Sequence, residues 1–389
     1  HFLEEKTRQI KQFIGKQPAA SAAEKAASYS VHDFVTPRSY ACEPFDLNKE
    51  MQGMKTLVDS LLPPNKQPMR LVQWSGNTLP FEGAIRAARQ AGLYNINGGD
   101  SRFDREFASY AWVAPIGQEV GKERQIYSSN SNENTYTELW TDRFYGFRYL
   151  QRTVENTESP IRVKPFNIYY HMYSGEKEAS LLALTDNYNY ARTQELTPVT
   201  ASRFAYLANG FYTARFIPAG KKRWEIHDRG GLQTIRFDHG ETSGVDFARS
   251  RGIIGQRHYQ NSLYVYLDET VTTPIVALKE NISYDSPLIE KRPYLISSRW
   301  LIKSLNSEGK HLDFLAWGYG KGAMSWRMPA RGVYHIRVSD ADGKRLEEMD
   351  METDEHHELS FTLLNESYGI IRQVEISPKR ANRAKKNKE

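Results

Sequence analysis

Three short stretches gather titratable and hydrogen-bonding side chains just where an apolar run gives way to a turn. "NIYYHMYSGE" carries His171 and Tyr173, "LVQWSGNTLP" carries Trp74, Ser75 and Asn77, and "YNINGGDSRFD" carries Asn95, Asn97 and Asp100. Imidazole titrates near neutral pH and is the usual proton donor to a departing amine or alkoxide. His171 ends an apolar run and directly precedes a strand-to-helix turn, where such an acid would sit. A satisfied core histidine is the competing assignment. Asn, Gly and Asp are ordinary turn residues, but three such ends on one side of a sheet would form a cleft.

The elements that must position these residues follow from periodicity. Leu47, Met51, Met54, Leu57 and Leu61 recur at spacings of 4, 3, 3 and 4, which predicts one amphipathic helix with Asp46 as its N-cap and Pro63-Pro64 as its stop. "MRLVQW" predicts a buried strand, "FEGAIRAARQAG" a helix closed by Gly92, and "LYNING" a short strand. "FNIYYHMY" predicts another buried strand, with a helix opening near Ser174 and a further one over "TPVTASRFAYLANG". Strands alternating with helices in this way predict a parallel α/β layer or barrel over residues 1–210.

Beyond residue 211 the character changes. "TARFIPA", "RWEIHD", "LQTIRF", "SLYVYLD", "TPIVALK", "SSRWLIK", "HLDFLAW", "GVYHIRVSD" and "SFTLL" are short β-leaning runs punctuated by turn signals such as "DRGG" and "DADGK". They predict an all-β sandwich over residues 211–377. Residues 378–389 form a basic tail; "SPKRANRAKKNKE" carries six Lys and Arg against one Glu. The rest of the chain is close to neutral, so a nucleic-acid partner has no basic face to rest on.

Other chemistry is scarce. The single cysteine, Cys42, excludes an internal disulfide and a thiolate metal site. No apolar run reaches the roughly 20 residues needed to span a bilayer. The ten histidines include no pair at helical i, i+4 spacing; His356-His357 lie in an acidic loop. A serine-hydrolase elbow, a P-loop and a dinucleotide fingerprint are absent. The 23 Tyr and 7 Trp suit either strands or surfaces that stack on sugars.

Four segments, "FDLNKEM", "LVQWSGNTLPFEGAIRAARQAGLYNINGGDSRFD", "PFNIYYHMYSGEKEASLLAL" and "GLQTIRFD…VDFARSRGIIGQRHYQNSLYVYLD", occur in this order between residues 43 and 270. Together they resemble the C-terminal part of the PelA-like Pel polysaccharide deacetylases, periplasmic carbohydrate esterases that N-deacetylate amino-sugar polymers. The resemblance implies a partial (β/α) polysaccharide-deacetylase-like barrel followed by a β-sandwich, the sandwich a candidate carbohydrate-binding module. It implies a divalent metal ion, zinc foremost, held by an Asp and a His-x-x-x-His pair, and a late-strand histidine that protonates the departing amine. His171 takes that role, and Trp74, Asn77, Asn97, Asp100 and Tyr173 line the substrate groove. Residues 2–45 hold only His32, so His1 is expected to be the second histidine of the metal pair, with the other ligands and the base upstream. Such a fragment is expected to be inactive alone. The implied partners are an acetylated amino-sugar exopolysaccharide of biofilms and proteins of its export complex, in the periplasm of a Gram-negative bacterium or secreted from it. A non-catalytic polysaccharide-binding or export-assembly protein is the alternative.

Overall fold

The computed structural model describes residues 46–64, 66–127, 130–159, 162, 164–280, 282, 289–365 and 370–379. His1, and all but two residues of the basic tail, lie outside the described residues. The chain divides into two compact units, His1–Met69 with Arg86–Gly92, and Arg70–Ile85 with Leu93–Glu389.

In the first unit a wide turn, Lys49–Gly53, runs into helix α1, Met54–Leu61. Asp46 caps the segment as expected, its Oδ1 accepting from the backbone N–H of Asn48 at 2.8 Å and of Lys49 at 3.4 Å. Of the apolar stripe, Met51 is buried while Leu57 and Leu61 are exposed. Asp59 accepts from Met69 N at 2.7 Å and pairs with Lys55. Helix α2, Glu82–Gln90, has acid in its first turn and arginine in its last, which suits the helix dipole. Gly92, at φ +73°, closes it.

The second unit is of mixed α+β character. Strands β1 (Leu71–Gln73) and β2 (Tyr94–Ile96) pair in parallel, Leu71 opposite Tyr94 and Gln73 opposite Ile96. Strands β3 (Gly117–Val120) and β4 (Glu123–Ile126) form an antiparallel hairpin. Helices α3 (Glu133–Tyr136), α4 (Leu150–Asn156), α5 (Glu178–Thr193) and α6 (Ala201–Thr213) follow. No closed barrel forms among the described residues; β1 and β2 make a sheet of two strands only.

The "FNIYYHMY" segment is not a strand. Phe166, Ile168 and Tyr170 do alternate inward, onto a core of Tyr136, Phe147, Leu150, Val154, Ala183 and Leu184. Among the described residues no strand pairs with residues 165–171, and side chains anchor both ends of the segment. Asn130 Nδ2 donates to Pro165 O at 3.4 Å, and His171 N donates to Glu133 Oε1 at 2.9 Å. The period of two survives because one face is buried, even without a ladder.

From Arg215 onward the described residues build three sheets. The first joins β5 (Arg215–Pro218), β6 (Arg223–His227), β11 (Ile275–Lys279) and β8 (Gly244–Val245). The second, six strands wide, runs β18 (Glu358–Asn365), β15 (Gly320–Arg327), β12 (Tyr294–Ser298), β9 (Ile253–Tyr259), β10 (Ser262–Leu267) and β7 (Thr234–Phe237). The third runs β13 (Leu301–Glu308), β14 (His311–Trp317), β19 (Ile371–Pro378), β16 (Val333–Ser339) and β17 (Arg345–Glu352). The six-stranded sheet serves two cores. Ile235, Ile253, Leu263, Val265 and Leu267 pack with Ile226, Val276 and Leu278 of the first sheet. Ile254, Leu295, Trp326 and Phe361 pack with Phe314, Ile336 and Val374 of the third. Strand β9 meets β12 in parallel through one register pair, Gly255 opposite Leu295.

Candidate functional site

Helix α3 is a single turn, and the sequence around it explains why it is rigid. Asn132 caps it, with Oδ1 accepting from Asn134 N at 3.0 Å. Thr137 Oγ1 donates back to Glu133 O at 2.8 Å. The buried Arg102 guanidinium donates to Thr135 O and Glu106 Oε2, each at 2.8 Å, and to Asp104 Oδ2 at 2.7 Å. It lies 4.4 and 4.5 Å from the rings of Phe107 and Tyr136, a planar cation held between aromatic faces. After α3 the chain makes a left-handed turn, with φ of +49°, +59° and +65° at Glu138, Leu139 and Trp140.

This frame presents Glu133, 1% exposed, to His171. Glu133 Oε1 lies 2.8 Å from His171 Nδ1 and also accepts the His171 backbone N–H. The imidazole is 38% exposed. Among the described residues its Nε2 has no hydrogen-bond partner. Glu133 Oε2 is buried with no hydrogen-bond partner among the described residues, so the carboxylate is committed to His171 through one oxygen. In a low-dielectric setting that single contact is electrostatically strong. With its proton on Nδ1 held toward Glu133, the ring offers Nε2 to solvent as acceptor, or as donor when doubly protonated. This is the arrangement of an oriented general acid or base.

The Tyr173 ring stacks on the imidazole, with centroids 4.9 Å apart and planes 7° from parallel. Tyr173 OH donates to Asn134 Oδ1 at 3.0 Å. Burial pushes its phenol above the usual range, with the Asn134 bond opposing. Trp140, carried by the left-handed turn, packs on the Tyr173 ring at 4.9 Å and on Phe144 at 5.3 Å. The Tyr169 ring also lies beside His171, with centroids 5.6 Å apart and planes tilted by 36°.

The other expected residues occupy distinct places. Asn97, at φ +110° and 1% exposed, donates through Nδ2 to Trp74 O at 2.5 Å and to Tyr169 OH at 3.2 Å. It therefore stitches the β1 end to the His171 segment from behind the surface. The Trp74 indole N–H donates to Asn95 Oδ1 at 3.0 Å. Asn77 is exposed and folds back on its own turn, Oδ1 accepting from Leu79 N at 3.1 Å. Asp100 is exposed, and the protein around its carboxyl raises it above the usual range, against the pull of the Lys164 ammonium. Lys164 is 3% exposed and donates to Pro115 O at 3.1 Å. Burial lowers it to about 8, with Asp100 opposing. Trp74, Asn97, His171 and Tyr173 thus join one network through Tyr169, whereas Asn77 makes no bond into it.

No protein-family model matches the chain, and no curated protein matches it by sequence.

No sequence motif marks Glu133, Arg102, Tyr169 or Lys164. The one local signal for Glu133 is the Asn-Glu order of a helix cap in "SNENTY"; nothing local joins it to a histidine 38 positions on. Among the described residues, no group of three or more His, Cys, Asp or Glu side chains is placed to hold a metal ion. The site around His171 therefore does not fit a metal by itself, and His1, the expected ligand, lies outside the described residues.

Proposed function

We propose that the chain is the C-terminal part of a polysaccharide N-deacetylase, with His171 as the acid that protonates the departing amine. The substrate in this reading is an acetylated amino-sugar exopolysaccharide of the Pel kind, met in the periplasm or outside the cell. The α-helical portion around β1 and β2 would be the remnant of a (β/α) barrel, and the strands from β5 onward an accessory β-sandwich. One observation carries the reading: a buried carboxylate, Glu133, holds Nδ1 of a solvent-reached imidazole whose Nε2 is unengaged among the described residues. Amide hydrolysis adds water to the carbonyl carbon and breaks the C–N bond. The nitrogen leaves as an amine only after it gains a proton, which His171 Nε2 would donate. Glu133 stabilises the imidazolium before that transfer.

The divalent ion of this reading, zinc foremost, would be ligated outside the described residues. Export-complex partners belong to the same reading. No helix among the described residues is long and apolar enough to cross a membrane.

The test is acetate release from acetylated amino-sugar oligomers by the protein carrying this stretch together with its upstream sequence. His171→Ala is expected to lower kcat by about 10²–10⁴-fold, the size of a general-acid effect, with the melting temperature unchanged. An unchanged rate would return His171 to a packing role and overturn the reading.

A further inference from the structure

A second concave site lies away from His171, between α4 and α5. It has a volume of about 550 Å³, within the range of small-ligand clefts. Tyr149, from the turn before α4, and Tyr190, from α5, supply ring surface to it, and Tyr149 is 45% exposed. The Arg148 guanidinium lies over the rings of Tyr145 at 4.7 Å and Tyr149 at 5.1 Å, which fixes its donors at the rim. Glu155 and Asp186 bring carboxylates, and Asn189 brings an amide with no hydrogen-bond partner among the described residues. Tyr145 OH donates to Asp186 Oδ2 at 2.5 Å, which holds that carboxylate in place.

The charges decide the ligand class. Arg148 and Arg152 balance Glu155 and Asp186, and Arg152 is already paired with Glu155 at 2.6 Å. An anion would meet two carboxylates at close range, so phosphate or a carboxylate ligand gains nothing net from entering. A neutral polyhydroxylated ring fits every feature. Its hydroxyls accept from Arg148 and Asn189 and donate to Asp186, while its C–H face lies on tyrosine. We propose that this cleft binds one neutral sugar unit of a polysaccharide, as a saccharide subsite that takes no part in the chemistry.

The proposal rests on the deacetylase reading only for the choice of polymer. One link joins the two sites. Tyr190 stacks on Phe166 at 6.0 Å, and Phe166 belongs to the extended segment that ends at His171. A chain held in the cleft is therefore anchored to the backbone that carries the imidazole.

The experiment is calorimetric titration of the chain with N-acetylated amino-sugar hexamers, which are neutral, alongside Tyr149→Ala and Asn189→Ala, both at exposed positions. Each variant is expected to weaken binding roughly tenfold through lost ring contact or a lost hydrogen bond. Failure of the unmodified chain to bind, or affinity in both cleft variants equal to that of the unmodified chain, would overturn the proposal. So would competition by inorganic phosphate, which would make the cleft an anion site. Tyr149-dependent binding in a protein that releases no acetate would uphold the cleft and strike the deacetylase reading alone.

Discussion

A single carboxylate oxygen, Glu133 Oε1, serves both the backbone N–H of His171, at 2.9 Å, and its ring Nδ1, at 2.8 Å. One acceptor thus fixes the position of the residue and the tautomer of its ring together. Glu133→Gln keeps the volume but removes the charge that steadies an imidazolium. It is expected to lower kcat for acetate release at least tenfold with KM unchanged, and Glu133→Asp to recover part of the rate. Glu133→Ala leaves the backbone N–H unsatisfied and should cost about 1–3 kcal/mol in a denaturant melt. A Gln variant with full kcat would make Glu133 a packing residue.

Lys164 sets a pH dependence of stability. Burial brings the folded pKa to about 8, below the ordinary 10.5. Between those values the unfolded chain binds more protons than the folded one, so stability rises with pH across that window. Below pH 8 both states are protonated and the full burial cost is present. Lys164→Met is expected to flatten the rise and to stabilise the chain at pH 7 by about 2 kcal/mol. Thermal melts at pH 7 and pH 10 compare the two directly, and parallel curves would refute the assignment.

The left-handed turn at residues 138–140 holds non-glycine side chains in a conformation that costs roughly 1–2 kcal/mol each. Leu139 is exposed at 72%, so its side chain returns little packing. Leu139→Asn, which tolerates this region, is expected to stabilise the chain by about 0.5–1 kcal/mol. Leu139→Ile, β-branched, should destabilise it. Chemical denaturation reads both signs.

Gly255 is where β9 passes β12. A Cβ there would come within 1.9 Å of Leu295 O, and the Gly255–Leu295 pair is the register contact between the two strands. Gly255→Ala must push the strands apart and is expected to cost about 3 kcal/mol or more. A melt within 1 kcal/mol of the unmodified chain would show that the sheet flexes there.

How much of this was legible depended on whether a pattern was local. The Asp46 cap, α2 with its closing Gly92, and α6 came from capping chemistry and periodicity within a few residues, as did the place of β1, though its residues are half-buried or exposed and not the buried strand expected. Strand β17, "RLEEMDME", gave no alternation because it is a charged edge strand, the composition that discourages edge-to-edge pairing. Strand β15, "GKGAMSWR", hid behind Gly320 and Gly322, the second of which makes room for the Trp300 ring. The His171 segment read as a strand because its inward face alternates, yet its partners are side chains that periodicity does not encode. His171 was visible as a chemistry-bearing residue, whereas Glu133 was not. Only the tertiary fold brings a carboxylate 38 positions away onto its ring nitrogen.

Strand β9 points Ile253 into one core and Ile254 into the other. Neither core can open without stripping one face of the same strand, so the two halves of the β-region lose their structure together. Amides along β9 then exchange with solvent only in the global opening event, and heat unfolds both cores in a single cooperative transition.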